Sequence, residues 1–260
     1  MEFKNAIQKI INENKGNVGV AIKNFNTDEI IKINEEKIFP SASTIKLVVM
    51  TEILNQVKAG KHSLNELIEI TNKIKTGGDG ILKELNSGNK YTLKEIILLM
   101  IILSDNTAAN ILIDMAGMNN VNKMAANLGM RHTKLQRRMM DSAAAKAGRE
   151  NLTCAEDLFT FFELLYNNKI LDEKCSRLML DILKKQQVKG RLDLYLPDDM
   201  VIAHKTGDLD RLEHDAGIVY LKNCTYIICI LTNETTTNKD GREIIGKISK
   251  AVYDSFSRTY

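Results

Sequence analysis

Tryptophan is absent from the 260 residues, proline occurs only twice, and cysteine four times. So few prolines leave few forced breaks, and no stretch has the composition of a disordered linker. Cys154, Cys175, Cys224 and Cys229 form no Cys-x-x-Cys pair, and no histidine spacing is typical of zinc. All four are read as reduced and structural, and neither a metal nor a cofactor is expected. Charge of one sign is lacking too. With 36 basic and 33 acidic residues the net charge is +3, which gives no reason to propose a nucleic-acid or membrane partner. No apolar run is long enough to cross a bilayer; the longest is Ile96 to Leu103. The N-terminal run from Met1 to Ile11 has charges scattered through it and reads as an amphipathic helix rather than a signal peptide. The expectation is a cytoplasmic monomer, or a secreted or periplasmic one if a leader has been removed.

What is present is ordinary apolar content in a chain long enough to bury a substantial core. Periodicity predicts a helix over 2–14 and strands at Val18–Lys23 and Ile30–Ile33. A helix follows Pro40 and runs from Thr44 to Lys58, apolar at Ile45, Val48, Val49, Ile53, Leu54 and Val57. The middle reads as mostly helical: a short polar piece at 64–72, a loop at 75–80, a buried helix at 92–103, then helices at 107–115 and about 121–128. Residues 131–151 lose the period and read as a long loop. Helices at 154–168 and 172–187 follow. Strands at 200–204, 216–221 and 225–232 and a helix at 241–256 close the chain. Strands at both ends bracketing helices predict an α/β (α+β) fold: an antiparallel sheet built from both termini, with an inserted helical lobe. The expected division of the single catalytic domain is 1–41 plus 198–260 for the α/β lobe and 42–197 for the helical lobe.

Three polar clusters interrupt these elements. Ser43 and Lys46 stand three apart, a spacing that puts hydroxyl and amine on one helical face. Serine is a weak nucleophile until a base takes its proton, and a desolvated lysine is one such base. Ser-x-x-Lys alone is a poor signal, since an N-cap serine and a solvated lysine fit it equally. A second copy, Ser87 to Lys90, lies in a turn where the spacing aligns nothing. Ser104-Asp105-Asn106 directly follows a buried helix, where polar groups need partners or a cleft. Lys205-Thr206-Gly207 ends the strand that starts at Met200.

In this order, on these elements, and 61 and 101 residues apart, the clusters resemble those of the penicillin-recognising serine enzymes, in particular class A β-lactamases. The resemblance runs from the first helix to the last. Lys75-Thr76-Gly77 is a decoy, because it precedes the Ser-Asp-Asn cluster and follows no strand. The resemblance implies a small-molecule β-lactam, ester or amide substrate and an acyl-enzyme on Ser43, with Lys46 taking or relaying its proton. Ser104, beside Lys205, would pass a proton to the leaving nitrogen. Asn106 would bind a substrate amide, and Lys205 with Thr206 a substrate carboxylate. Gly207 would let the substrate backbone approach, and the backbone N–H groups of Ser43 and Asp208 would form the oxyanion hole. Asp105 is better read as a cap on the next helix.

The chain also departs from that family. The family's loop glutamate, which activates the deacylating water, is missing. If Arg137 and Glu150 are the pair that closes the loop, Met139 takes its place, and methionine accepts no proton. Asp141, two residues off register, is the candidate replacement base. Asp208 puts a carboxylate where the family has a small uncharged residue, and Arg211 is a candidate for binding the substrate carboxylate. Three readings follow: a β-lactamase-like hydrolase with slow turnover, a serine esterase or peptidase on the same fold, or a β-lactam sensor that is acylated and not released.

Overall fold

The computed structural model describes residues 2–258. The outermost positions of the expected lobes, residue 1 and residues 259–260, lie outside the described residues. Helix α1 (Glu2–Asn12) leads into strands β1 (Asn17–Asn24) and β2 (Ile30–Ile33) and the short β3 (Phe39–Pro40). A 3₁₀ turn, Ala42–Ile45, opens directly into α2 (Lys46–Lys58). Strands β4 (Leu67–Glu69) and β5 (Lys90–Thr92) pair antiparallel in the middle of the chain, so the polar piece at 64–72 is not helical. Its alternation was too short to show a period. Helices α3 (Leu93–Ile102), α4 (Asn106–Ala116) and α5 (Met118–Asn127) follow, and α3 starts at a full capping box between Thr92 and Glu95. Within the long loop lies a short α6 (Ser142–Lys146). Strand β6 (Leu152–Thr153) pairs with β3, and helices α7 (Ala155–Tyr166) and α8 (Glu173–Leu183) complete the insertion. Strands β7 (Val201–Leu209), β8 (Leu212–Tyr220) and β9 (Thr225–Asn233) precede the terminal α9 (Asn238–Arg258).

The main sheet is antiparallel in the order β2-β1-β9-β8-β7, so the two ends of the chain meet where β1 pairs with β9. Alternation sends Val20, Ile22, Ile228 and Ile230 to one face, packed with Ile7 of α1 and Ile244, Ile248 and Val252 of α9. Ala21, Ile227, Cys229 and Leu231 face the other way, into a larger core shared with α2, α3, α4 and α7. Both faces are covered, so these strands read as nearly continuous apolar runs. Helix α7, from the inserted segment, lies directly on β1, β8 and β9. The two parts of the chain therefore share one core across the sheet. Within it, Leu47, Val48, Val49, Met50 and Ile53 of α2 are fully buried. Each such side chain contributes about 1.5–3 kcal/mol relative to exposure. This packing fixes the axis of the helix whose first residue is Lys46.

Strand β7 continues through Lys205-Thr206-Gly207 to Leu209 and turns at once into β8, with Asp208 opposite Glu213. The cluster expected at a strand end is thus inside a strand, locked by its ladder. The hairpin residues Asp210 and Arg211 carry no glycine or asparagine, so the turn gave no sequence signal. Four thiols are free; Cys224 and Cys229 sit in the two opposite cores.

Candidate active site

Ser43 lies in the 3₁₀ turn, three residues before Lys46. In a 3₁₀ turn residues three apart eclipse, which keeps both side chains on one side. Lys46 is completely buried, so it is not a solvated helix residue. Its Nζ donates to the Ser104 carbonyl at 2.6 Å, Ser104 Oγ at 3.2 Å and Asn106 Oδ1 at 2.9 Å. No hydrogen bond to Ser43 Oγ is formed among the described residues; the amine is held against the Ser-Asp-Asn cluster instead. Burial pushes the Lys46 pKa down to about 7, against the opposing pull of the Asp79, Asp105 and Asp208 carboxylates.

Lys205 is also buried, and its Nζ donates to Ser104 Oγ at 3.0 Å and to the Thr206 carbonyl at 2.7 Å. Burial, then the Lys46 and Arg191 charges, drives its pKa well below the ordinary lysine value. Ser104 Oγ thus sits between two amines. Its backbone has φ +54°, a left-handed conformation unusual for serine. Ala42 (φ +45°) and Met140 (φ +63°), both bordering the cleft, share it. Such outliers cost of order 1–3 kcal/mol each and persist where surrounding structure over-determines them.

Asp105 explains part of that support. Its Oδ1 caps α4 at Ala108 N, 2.9 Å away, while Oδ2 accepts from Ile81 N at 2.7 Å and Leu82 N at 2.8 Å. It caps its helix and also pins the loop carrying Gly78 and Asp79 over the cleft. Replacing Asp105 by Ala leaves three buried N–H groups without an acceptor. The expected loss is about 3 kcal/mol of unfolding free energy, read by urea titration.

Gly207 serves a different contact from the one expected. A Cβ there would stand 3.0 Å from Ser43 N and 3.2 Å from Thr44 N. What approaches β7 so closely is the chain's own nucleophile turn, which brings the backbone of Ser43 alongside Gly207 and Asp208.

A cleft of about 470 Å³ opens over these groups, lined among others by Ser43, Asn106, Asp79, Met139, Asp208 and Arg137. Arg137 grips Glu150 through two parallel bonds, Nε to Oε1 at 2.8 Å and Nη2 to Oε2 at 3.0 Å. Asn151 Oδ1 accepts from Gln136 N and Arg137 N at 2.7 and 2.9 Å. Asn110 then clamps the next segment, taking a bond from Met139 N at 2.8 Å and giving one to the Met139 carbonyl at 3.1 Å. The thioether of Met139 is held in the cleft floor. Asp141 is not among the cleft-lining residues. It N-caps α6, accepting from Ala144 N at 2.9 Å, so the geometry does not place it as the replacement base.

Arg211 does not reach the cleft either; its Nε donates to the Thr235 carbonyl at 2.6 Å, towards the start of α9. The arginine beside β7 is Arg191, which the sequence reading did not single out. It is buried, with Nε bound to Glu213 Oε2 at 2.6 Å and Nη2 to Asp208 Oδ1 at 2.9 Å. Its partners come from a later hairpin, and nothing local marks it. No group of three or more potential metal ligands occurs among the described residues.

A pocket-lining serine, a buried lysine of lowered pKa, and a second hydroxyl bridging two amines define the machinery of a serine acyl-transfer enzyme. The profile of the β-lactamase enzyme family matches residues 2–256, and the chain belongs to that family. A β-lactamase of Bacteroides uniformis is 27% identical over 98% of this chain and 91% of its own length. The crystal structure of a β-lactamase from Sphaerobacter thermophilus, 29% identical, superposes with a TM-score of 0.92 over 99% of this chain and 98% of that one. A leucine-to-glutamate variant of PBP-A, an acyl-enzyme complex with penicillin G, is 26% identical with a TM-score of 0.90 over 99% and 97%. The protein is a hydrolase of the class A β-lactamase type.

Proposed function

We propose that Ser43 is acylated readily by a β-lactam or a related amide or ester, and that the acyl-enzyme is released slowly. The observation that carries this reading is Met139, fixed by Asn110 in the cleft floor where no carboxylate is free to activate water. Acylation keeps its equipment. Lys46, half neutral near pH 7, takes the Ser43 proton as the bond from Oγ to the carbonyl carbon forms. Two backbone N–H groups, of Ser43 and Asp208, receive the developing oxyanion. Ser104, hydrogen-bonded to Lys46 and Lys205, hands a proton to the leaving nitrogen or oxygen as its bond to the carbonyl breaks. Asn106, with Nδ2 anchored on the Gly77 carbonyl at 3.2 Å, borders the same space and orients the substrate amide, and Lys205 and Thr206 hold an anionic group. The PBP-A acyl-enzyme with penicillin G shows that a chain of this fold takes the drug onto its serine, which supports the reading by likeness.

Glu150 is no substitute base, because both its oxygens are taken by Arg137. Deacylation then depends on Lys46 or on unassisted water. The test is an intact-mass time course with excess penicillin, with the free drug followed in parallel. A persistent adduct of one drug mass is expected on the parent protein and none on Ser43→Ala. Unchanged hydrolysis by Ser43→Ala would remove Ser43 as the nucleophile. Drug consumption without a lasting adduct would mean efficient turnover by another base. An esterase or peptidase activity is the second reading, and the Asp208 carboxylate inside the cleft favours it.

A further inference from the structure

The charge arrangement around Arg191 bears on which acyl donors reach Ser43, and it rests on the reading of Ser43 as the nucleophile. Asp208 and Glu213 face each other across the β7–β8 ladder. Two carboxylates directly opposite repel unless a cation lies between them, and Arg191 supplies it. The two contacts are not equivalent. Glu213 is buried, with a side chain 2% exposed, and also takes Asn238 Nδ2 at 3.0 Å and Arg242 Nε at 3.3 Å. It alone balances the charge of Arg191. The Asp208 side chain is 43% exposed, and Asp208 lines the cleft together with Ser43. Its carboxylate is therefore a surplus negative charge, seated on the Arg191 nitrogen nearest the cleft.

A guanidinium fork is a carboxylate receptor of fixed geometry. Here the chain's own carboxylate fills that receptor from the cleft side. A substrate bearing a carboxylate close to its scissile bond meets a repelling charge and an occupied fork. A neutral or cationic acyl donor meets neither. We propose that Asp208 is a specificity-determining residue: by holding the cleft-facing edge of Arg191, it selects acyl donors that carry no carboxylate beside the scissile bond. The family's chemistry is kept, and the charge class of the substrate is changed.

The probe is a matched pair of thioesters with the same acyl group, one with a free carboxylate next to the scissile bond and one with that carboxylate as its methyl ester. Second-order acylation constants are read by quenched intact mass. The parent is expected to favour the neutral member. Asp208→Asn should raise the anionic-to-neutral ratio by about tenfold, which is about 1.4 kcal/mol. Adding Arg191→Gln together with Glu213→Gln, so that no buried carboxylate is stranded, should remove that gain. Melting temperatures check that each variant folds, and Asp208→Ser replaces the Asn variant if it does not. A ratio that moves less than about twofold while both probes still acylate overturns the assignment of Asp208 and leaves Ser43 standing. A gain that survives without Arg191 overturns the fork as its cause. Absence of acylation by either probe, in every variant, overturns the Ser43 reading and this inference with it.

Discussion

Met139→Glu is expected to shorten the life of a penicilloyl adduct by about 10²–10⁴-fold, the usual contribution of a positioned general base. Backbone placement makes this a strong test. Asn110 holds both the N–H and the carbonyl of Met139, and the loop on either side is tied by the Arg137–Glu150 fork and by Asn151. Glutamate has the reach of methionine, so its carboxylate falls where the thioether now lines the cleft with Ser43. Burying a carboxylate there costs of order 1–3 kcal/mol in stability. The variant should therefore melt lower while turning over faster. Met139→Gln is the control: it has the same shape and polarity without a base, and should leave the adduct long-lived. Decay of the adduct after removal of free drug is the measurement. Equal decay in the parent, Gln and Glu proteins would mean that water does not reach the acyl group from the Met139 side, and that the loop does not limit turnover.

The sequence made the nucleophile cluster, Ser104-Asp105-Asn106 and Lys205-Thr206-Gly207 legible because each is a short local string next to a strongly periodic element. It gave the sheet through apolar runs in β1, β8 and β9, whose two buried faces leave no polar alternation. It left three things hidden. The β4–β5 pair is formed by strands of three residues each, too short for any period to show. The role of Arg191 depends on Glu213 and Asp208, which a different element brings to it. The same physics defeated Arg211: near in sequence to the site, it is turned by its left-handed backbone (φ +55°) towards Thr235. Asp141 was an arithmetic neighbour of the missing glutamate, but a helix N-terminus claimed its carboxylate. Register along a chain identifies side chains that could meet; hydrogen-bond competition decides which do.

Lys46→Met should lower the acylation constant by about 10²–10⁴-fold and remove its dependence on pH near neutrality. In the parent the amine titrates at about 7, because burial disfavours its charge more than the Asp79, Asp105 and Asp208 carboxylates favour it. The neutral amine is the base, so the parent's acylation constant should rise through pH 7 and level off above it. Below pH 7 it should fall by about tenfold per unit. Stability carries the same signature with a definite sign. The folded pKa lies below the unfolded value of 10.5, so folding disfavours the protonated lysine. That penalty is fully present below pH 7 and is relieved as pH rises from about 7 towards 10.5. Methionine fills the same space without a charge to bury, although it deserts the Ser104 carbonyl and Asn106 Oδ1. The difference in unfolding free energy between variant and parent should therefore move in the variant's favour as pH is lowered from 10 to 7, and stay constant below that. A pH-independent difference would mean that Lys46 remains charged in the folded enzyme. The base for Ser43 would then have to be sought among the groups it contacts, with Lys205 acting through Ser104 as the first to test.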